Sequence, residues 1–224
     1  MQNHELLMNN ICNICGNKEG FVDTKIFYRL DENITRHKMY CSVCYSQERH
    51  RFIWEYLKLN EDILNKKIII HCSSEECIEW RIRKLAKAYF PIDLNPVSRQ
   101  TKMDIQKMIF PSDSIDTFIC SHVLEHVPDD NKAIKEISRI LKKDGTALLL
   151  IPINGREHTT EFLTPNEKDF DHMRDYGYID FMDKLKLYFT SVKRILPQDI
   201  LNKELIETYS LSYEMNQGIF ECKK

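Results

Sequence analysis

The chain has 224 residues, 42% of them apolar and 29% charged, which excludes a disordered protein and leaves room for one α/β domain, alone or with a small module. Thirty-two Lys and Arg against thirty-four Asp and Glu give a net charge of -2, which excludes a strongly basic nucleic-acid binder, though not a local basic patch. Apolar runs such as Ala147 to Ile151 fall far short of the ~18 residues of a membrane span.

Met1 to Asn10 carries acidic Glu5 and no long apolar stretch, so no secretory signal is read there and the expected compartment is cytoplasmic. Residues 1–48 show little periodicity and hold two cysteine pairs, Cys12-x-x-Cys15 and Cys41-x-x-Cys44, 25 residues apart. Four thiolates on two such knuckles suit tetrahedral zinc, with every position closed and therefore a structural role. The segment is too short for a core of its own, so a zinc-ribbon-like module is expected at 1–48, with the main domain at 49–224. The other reading is chance pairing of free thiols.

Gln47 to Leu59 follows with Phe52, Ile53, Tyr56 and Leu57 at helical spacing. Ile68-Ile69-Ile70 is β-branched and wholly apolar, as in a buried parallel strand. Ile78, Ile82, Leu85 and Tyr89 repeat at helical spacing, and Tyr89 to Leu94 reads as a second strand. A third covers Ile115 to Cys120. Asp129 or Asp130 can cap a helix whose one face carries Ala133, Ile134, Ile137, Ile140 and Leu141. Lys142 and Lys143 suit its C-terminal dipole and Gly145 its end. Thr146 to Ile151 is a further strand. Pro152 to Asp175 is long and polar, and is read as functional. Tyr178 to Phe189 looks helical, and Ser191 to Leu196 and Ile219 to Cys222 close the chain as strands.

Alternating strands and helices predict a doubly wound sheet with right-handed crossovers, which binds ligands beyond the C-terminal ends of its strands. His71 to Glu76, Asp93 to Asn95, Ser121 to His126 and the stretch from Pro152 onward are then the segments that face a ligand.

The segment IDTFICSHVLEHVPDDNKAIKEISRILKKDGTALLLIP, Ile115 to Pro152, resembles the signature that follows the fourth strand of class I S-adenosylmethionine-dependent methyltransferases of the type 11 kind. That family has a Rossmann-like, seven-stranded doubly wound sheet. The resemblance puts His71, Ser73, Ser74 and Glu75 in the first cofactor loop. It puts Asp93 and its neighbour Leu94 at the ribose hydroxyls, Asp104 and Ile105 at the adenine, and Ser121 and His122 on the loop beneath the donor. Asp93 is suited to its part, since a carboxylate accepts two charge-assisted bonds from hydroxyls. The stretches CSVCYSQERHRFIWEYL (41–57) and FDHMRDYGYIDFMDKL (170–185) are similar to a bacterial subgroup with an N-terminal CxxC…CxxC module. The departure is the first loop, Ser73-Ser74-Glu75-Glu76, which carries no glycine triplet. Serines can approach a cofactor nearly as closely and donate hydroxyls, and Glu75 can reach the amino group of the methionine moiety.

Methyl transfer needs alignment, exclusion of water, and a base only for a protonated acceptor. His172 in the loop after the fifth strand is the favoured base or acceptor ligand, with His122 at the strand edge; Glu125 and His126 either join them or brace the loop. Arg174 can grip an anionic acceptor through its guanidinium fork, and Tyr176 can close the pocket. The expected partner is a small polar acceptor, phosphorylated or sugar-like, of the kind used for surface polysaccharide, with no membrane partner. Two other readings stand beside it. One is an RNA methyltransferase, served by a basic surface from Arg36, Lys38, Arg49 and Arg51; the eight Lys/Arg and seven Asp/Glu up to Asn60 weigh against it. The other is a non-catalytic zinc-containing binding protein.

Overall fold

A computed structural model describes residues 10–28, 32–97, 99–153, 155–167, 170–211 and 218–224, and of residues 24–28 and 32–39 the backbone alone. In chain order the elements are β1 (Phe21–Tyr28), β2 (Glu32–Cys41), α1 (Glu48–Leu59), β3 (Ile68–Cys72), α2 (Glu76–Leu85), β4 (Ala88–Asp93), β5 (Thr101–Lys102), β6 (Ile115–Ser121), α3 (Asp130–Ile140), β7 (Leu141–Leu150), β8 (Thr160–Asn166), β9 (His172–Asp175), α4 (Tyr178–Lys186), β10 (Ser191–Ile195), α5 (Pro197–Ile200), α6 (Lys203–Thr208) and β11 (Ile219–Lys223).

Seven strands form the central sheet in the order β10-β11-β7-β6-β3-β4-β5. The run β7-β6-β3-β4-β5 is parallel, and β11 enters antiparallel between β7 and β10. Reversal of order between β3 and β6 marks the switch point where such sheets bind ligands. The apolar runs of β3, β6 and β7 are buried on both faces, as parallel strands between helix layers must be. Two apolar clusters, one on each side, close the core.

Four local readings are corrected by the structure. Residues 1–48, read without periodicity, hold the antiparallel β1–β2 hairpin. Tyr89 lies in β4, not on the helix, since α2 stops at Leu85. Asp129 caps α3 as expected, accepting from Lys132 N at 2.9 Å, but the helix ends at Ile140 and passes straight into β7. Lys142 therefore serves no helix dipole and reaches Asp116 Oδ1 at 2.8 Å. Gly145 is required by crowding: a Cβ there would stand 2.9 Å from Lys142 O. Finally, the polar stretch after β7 carries the β8–β9 hairpin, outside the main sheet.

Candidate active site

The strand register builds the site. Cys72 at the end of β3 pairs with Cys120 of β6 and with Ile92 of β4. The next residues, Ser73, Ser121 and Asp93, thus stand side by side at the C-terminal edge of the sheet. Ser73 and His122 both adopt left-handed backbone, with φ of 52° and 54°. This conformation costs a non-glycine residue roughly 1–2 kcal/mol, and here it turns the chain sharply away from β3 and β6. Ser73 N donates to Ile92 O at 2.8 Å and His122 N to Leu150 O at 2.9 Å, so each turn is tied to the adjacent strand.

The first loop is braced from below. His71 is fully buried, with Nδ1 2.8 Å from Tyr89 Oη and Nε2 2.7 Å from Glu75 Oε2. His50 Nε2 lies 3.6 Å from Glu75 Oε1. Burial works against ionisation of Glu75, but the hydrogen bond and charge of His71, with His50 and Arg49 behind, bring it down to about 2. Burial drives His50 down to about 4. An ionised Glu75 accepts from His71 Nε2–H, leaving Nδ1 to accept from Tyr89. Glu75 is therefore occupied inward, and the expectation that it reaches for the methionine amino group gives way to a structural role.

Asp93 accepts from Asn95 N at 2.7 Å and stays partly open, next to Leu94, which is 56% exposed. Asp104 turns its carboxylate on the backbone N of Gln106 at 2.8 Å, beside buried Ile105. Ser74 is buried and bridges Glu79 Oε2 and Gln100 Nε2. It also borders a cavity of about 550 Å³ on the outer flank of α2, with Trp80 and Arg99; that cavity shares only Ser74 with the expected cofactor residues. Among the described residues, Ser121 Oγ is a buried polar atom with no hydrogen-bond partner. An unmet hydroxyl at the strand edge, between two tight turns and near an open carboxylate, fits a polar cofactor laid across β3, β4 and β6.

The acceptor side differs from expectation in two residues. Arg174 is 4% exposed and donates to Leu124 O at 3.1 Å, Val127 O at 2.6 Å and Pro128 O at 3.0 Å, with Nε on Glu161. It is spent on the chain's own carbonyls and does not face an anionic acceptor. Tyr176 is 1% exposed, donates to Asp130 Oδ2 at 2.5 Å and packs on Phe181. It braces the start of α3 from within the core. His172 is buried at the start of β9, its ring 4.8 Å from that of His126, and His122 Nδ1 lies 3.5 Å from Glu125 Oε1. The hairpin that Arg174 pins thus delivers His172 to the loop after β6. Sequence spacing missed that pinning role, and nothing in the polar stretch Asp171-His172-Met173-Arg174-Asp175 signals it.

The four cysteines also come together. Cys12 Sγ lies 3.6 Å from Cys44 Sγ and Cys15 Sγ 3.6 Å from Cys41 Sγ, and all four sulfurs fall within 4.8 Å of one another. A tetrahedron of ~2.3 Å zinc–sulfur bonds has sulfur–sulfur edges of ~3.8 Å, so the set fits that ion. Both knuckles have one geometry: Gly16 N bonds Cys12 O and Tyr45 N bonds Cys41 O, at 2.8 and 3.0 Å, and both residues are left-handed, with φ of 76° and 55°. Arg51, read as basic surface, is fully buried and donates to Ser46 O, Tyr209 O and Ser210 O. The side chains of Arg36 and Lys38 lie outside the described residues.

Residues 72–149 match the family model described as a methyltransferase domain. Over that stretch, about a third of the chain, the sequence is similar to a methyltransferase domain. The matched stretch begins at the last residue of β3 and contains β4, β6 and most of β7, with the edge built by Ser73, Asp93 and Ser121. A 2-methyl-6-phytyl-1,4-hydroquinone methyltransferase of Oryza sativa subsp. japonica is 26% identical over 133 residues, 58% of this chain and 39% of the relative. The chain thus spans well under half of that relative's length. Two solved structures share the fold. A S-adenosylmethionine-dependent methyltransferase from Mesorhizobium loti has 13% identity and a TM-score of 0.57, over 76% of this chain and 97% of that one. One from Archaeoglobus fulgidus has 12% identity and a TM-score of 0.54, over 77% and 93%. The likeness to both is one of fold, a seven-stranded sheet in which β11 alone is reversed.

Proposed function

We propose that this chain transfers a methyl group from S-adenosylmethionine to an oxygen or nitrogen atom of a small polar, sugar-like metabolite, of the kind built into surface polysaccharide. The observation that carries the reading is the alignment of Ser73, Asp93 and Ser121 on one strand edge inside the matched domain. When bound, the cofactor supplies the electrophilic methyl group on its sulfonium.

The protein's part is to hold and to exclude. Asp93 would accept from the ribose hydroxyls, Ser121 Oγ would find the partner it lacks, and Leu94 would offer apolar surface to the base, with Ile105 packed beneath. Leu94 is half exposed while Ile105 is buried, so Leu94 has the apolar area left to bury and gains more on binding. The β8–β9 hairpin stands over the acceptor side and brings His172 toward His122, where an imidazole can take a proton or hold the acceptor. Burial of Arg174 removes the grip assigned to a phosphate, so the neutral, hydroxyl-bearing half of the expected acceptor class is retained. Burial of Arg51 likewise breaks the basic surface that an RNA would need.

The four cysteines would hold zinc as a structural ion. The module they close leads directly into α1, whose His50 and Arg49 stand behind Glu75, so the ion supports the first cofactor loop through that helix. The test is calorimetry with S-adenosylhomocysteine. Asp93→Ala should weaken binding at least ~10-fold, the worth of one charge-assisted pair. Equal affinity in wild type and variant would remove Asp93 from the site.

A further inference from the structure

One cluster beside the loop after β6 gathers two imidazoles and a carboxylate. Glu125 is fully buried in the turn after β6, His126 beside it is exposed, and His172 at the start of β9 is buried. One ligand atom from each lies within 4.8 Å of the others. Asp175 Oδ1 stands 3.6 Å from His172 Nδ1, the place of an outer carboxylate that orients a metal-ligating imidazole. The backbone is left-handed at His122, Phe170 and Asp171, with φ of 54°, 54° and 61°. Such strain persists only where surrounding structure enforces it, and it gathers at ligand sites. Here it lies on both loops that meet at the cluster, and Arg174 fastens one loop to the other through three carbonyls.

We propose that Glu125, His126 and His172 form a divalent-cation site whose open coordination positions take the acceptor's oxygen atoms. Two imidazoles and a carboxylate are the ligands of zinc, manganese or ferrous sites, and three protein ligands leave room for substrate. This site is separate from the four-cysteine cluster, which is closed and sulfur-only. It deepens the reading above and rests on it for the position of the methyl donor. A cation there selects an oxygen acceptor, because it lowers the pKa of a bound hydroxyl by several units. The acceptor's hydroxyl gives its proton to solvent and its oxygen bonds the methyl carbon. The electron pair of the carbon–sulfur bond stays with sulfur, which leaves as a neutral thioether. His172 then holds the acceptor through the cation and does not take its proton.

Mn2+ is the probe, since this hard ion prefers oxygen and nitrogen ligands and leaves the thiolates alone. Titration of the full chain, followed by the electron paramagnetic resonance of free Mn2+, should show one saturable site. His126→Ala alters an exposed side chain and keeps the fold; it should weaken that site at least ~10-fold, as should His172→Gln. No saturable binding, or equal binding in His126→Ala, would overturn the inference. Calorimetry with S-adenosylhomocysteine on the same samples separates the two claims. Cofactor binding without Mn2+ binding removes the cation site alone. Mn2+ binding without cofactor binding removes the methyl-transfer reading and leaves the cation site standing.

Discussion

Replacing Arg174 by methionine should unfold the acceptor side of the site before it touches any chemistry. Methionine fills most of the same space and donates no hydrogen bond. Three carbonyls, of Leu124, Val127 and Pro128, lose partners at 3.1, 2.6 and 3.0 Å, and Asp130 loses a cation 3.7 Å away. The contact with Glu161 adds little, because that carboxylate is 56% exposed. Removing one member of a buried, hydrogen-bonded charge cluster costs about 3–5 kcal/mol. In a chain of this size each kcal/mol moves the melting temperature by about 2–4 °C, so a drop of roughly 6–20 °C is expected. Scanning calorimetry of the unliganded protein reads this without any acceptor. A variant that melts with wild type while losing only acceptor affinity would refute the reasoning and restore Arg174 as an anion grip.

Three further outcomes follow from the same geometry. Metal analysis should find about one zinc per chain, and stripping it should lower affinity for S-adenosylhomocysteine, because α1 carries the residues behind Glu75; protein purified without chelator and free of zinc would remove the module. Stability should fall as pH drops from about 6.5 toward about 4, since burial holds His50 below its unfolded pKa and the unfolded chain takes up the proton first. Denaturant melts of His50→Gln should show that slope flattened, and an unchanged slope would assign it elsewhere. Ser73→Gly relieves a left-handed φ of 52°, so it should stabilise the fold by up to about 1 kcal/mol after the glycine's own entropy cost; a loss of stability in urea would mean that the hydroxyl contributes more than the strain.

The sheet was legible because its signals are local and redundant. A β-branched run named β3, an apolar run named β7, and an Asp cap with one apolar face named α3. The four cysteines were legible from spacing alone, and they do converge. What stayed hidden depends on contacts far apart in sequence. The reading of Gly145 as a helix end failed because its reason is the crowding of Lys142 O, which no propensity shows. Glu75 looked like a ligand of the cofactor because its bond to His71 depends on how the loop turns back on β3, and His50 approaches it only after α1 packs against that loop. Arg174 and Tyr176 looked catalytic because polar residues in a long loop usually face a ligand, and nothing in their spacing showed that β8 and β9 would pair and turn both side chains inward. The pairing of Glu125 and His126 with His172, some forty-six residues on, required the same hairpin.

The central claim is that the sheet edge at Ser73, Asp93 and Ser121 holds the methyl donor. A crystal structure of the full chain with S-adenosylhomocysteine tests it most directly. The account predicts ribose hydroxyls on Asp93 and a ligand atom within hydrogen-bond distance of Ser121 Oγ, with the sulfur turned toward His122 and His172. Product bound anywhere else, or a crevice filled by the protein's own side chains, would contradict it.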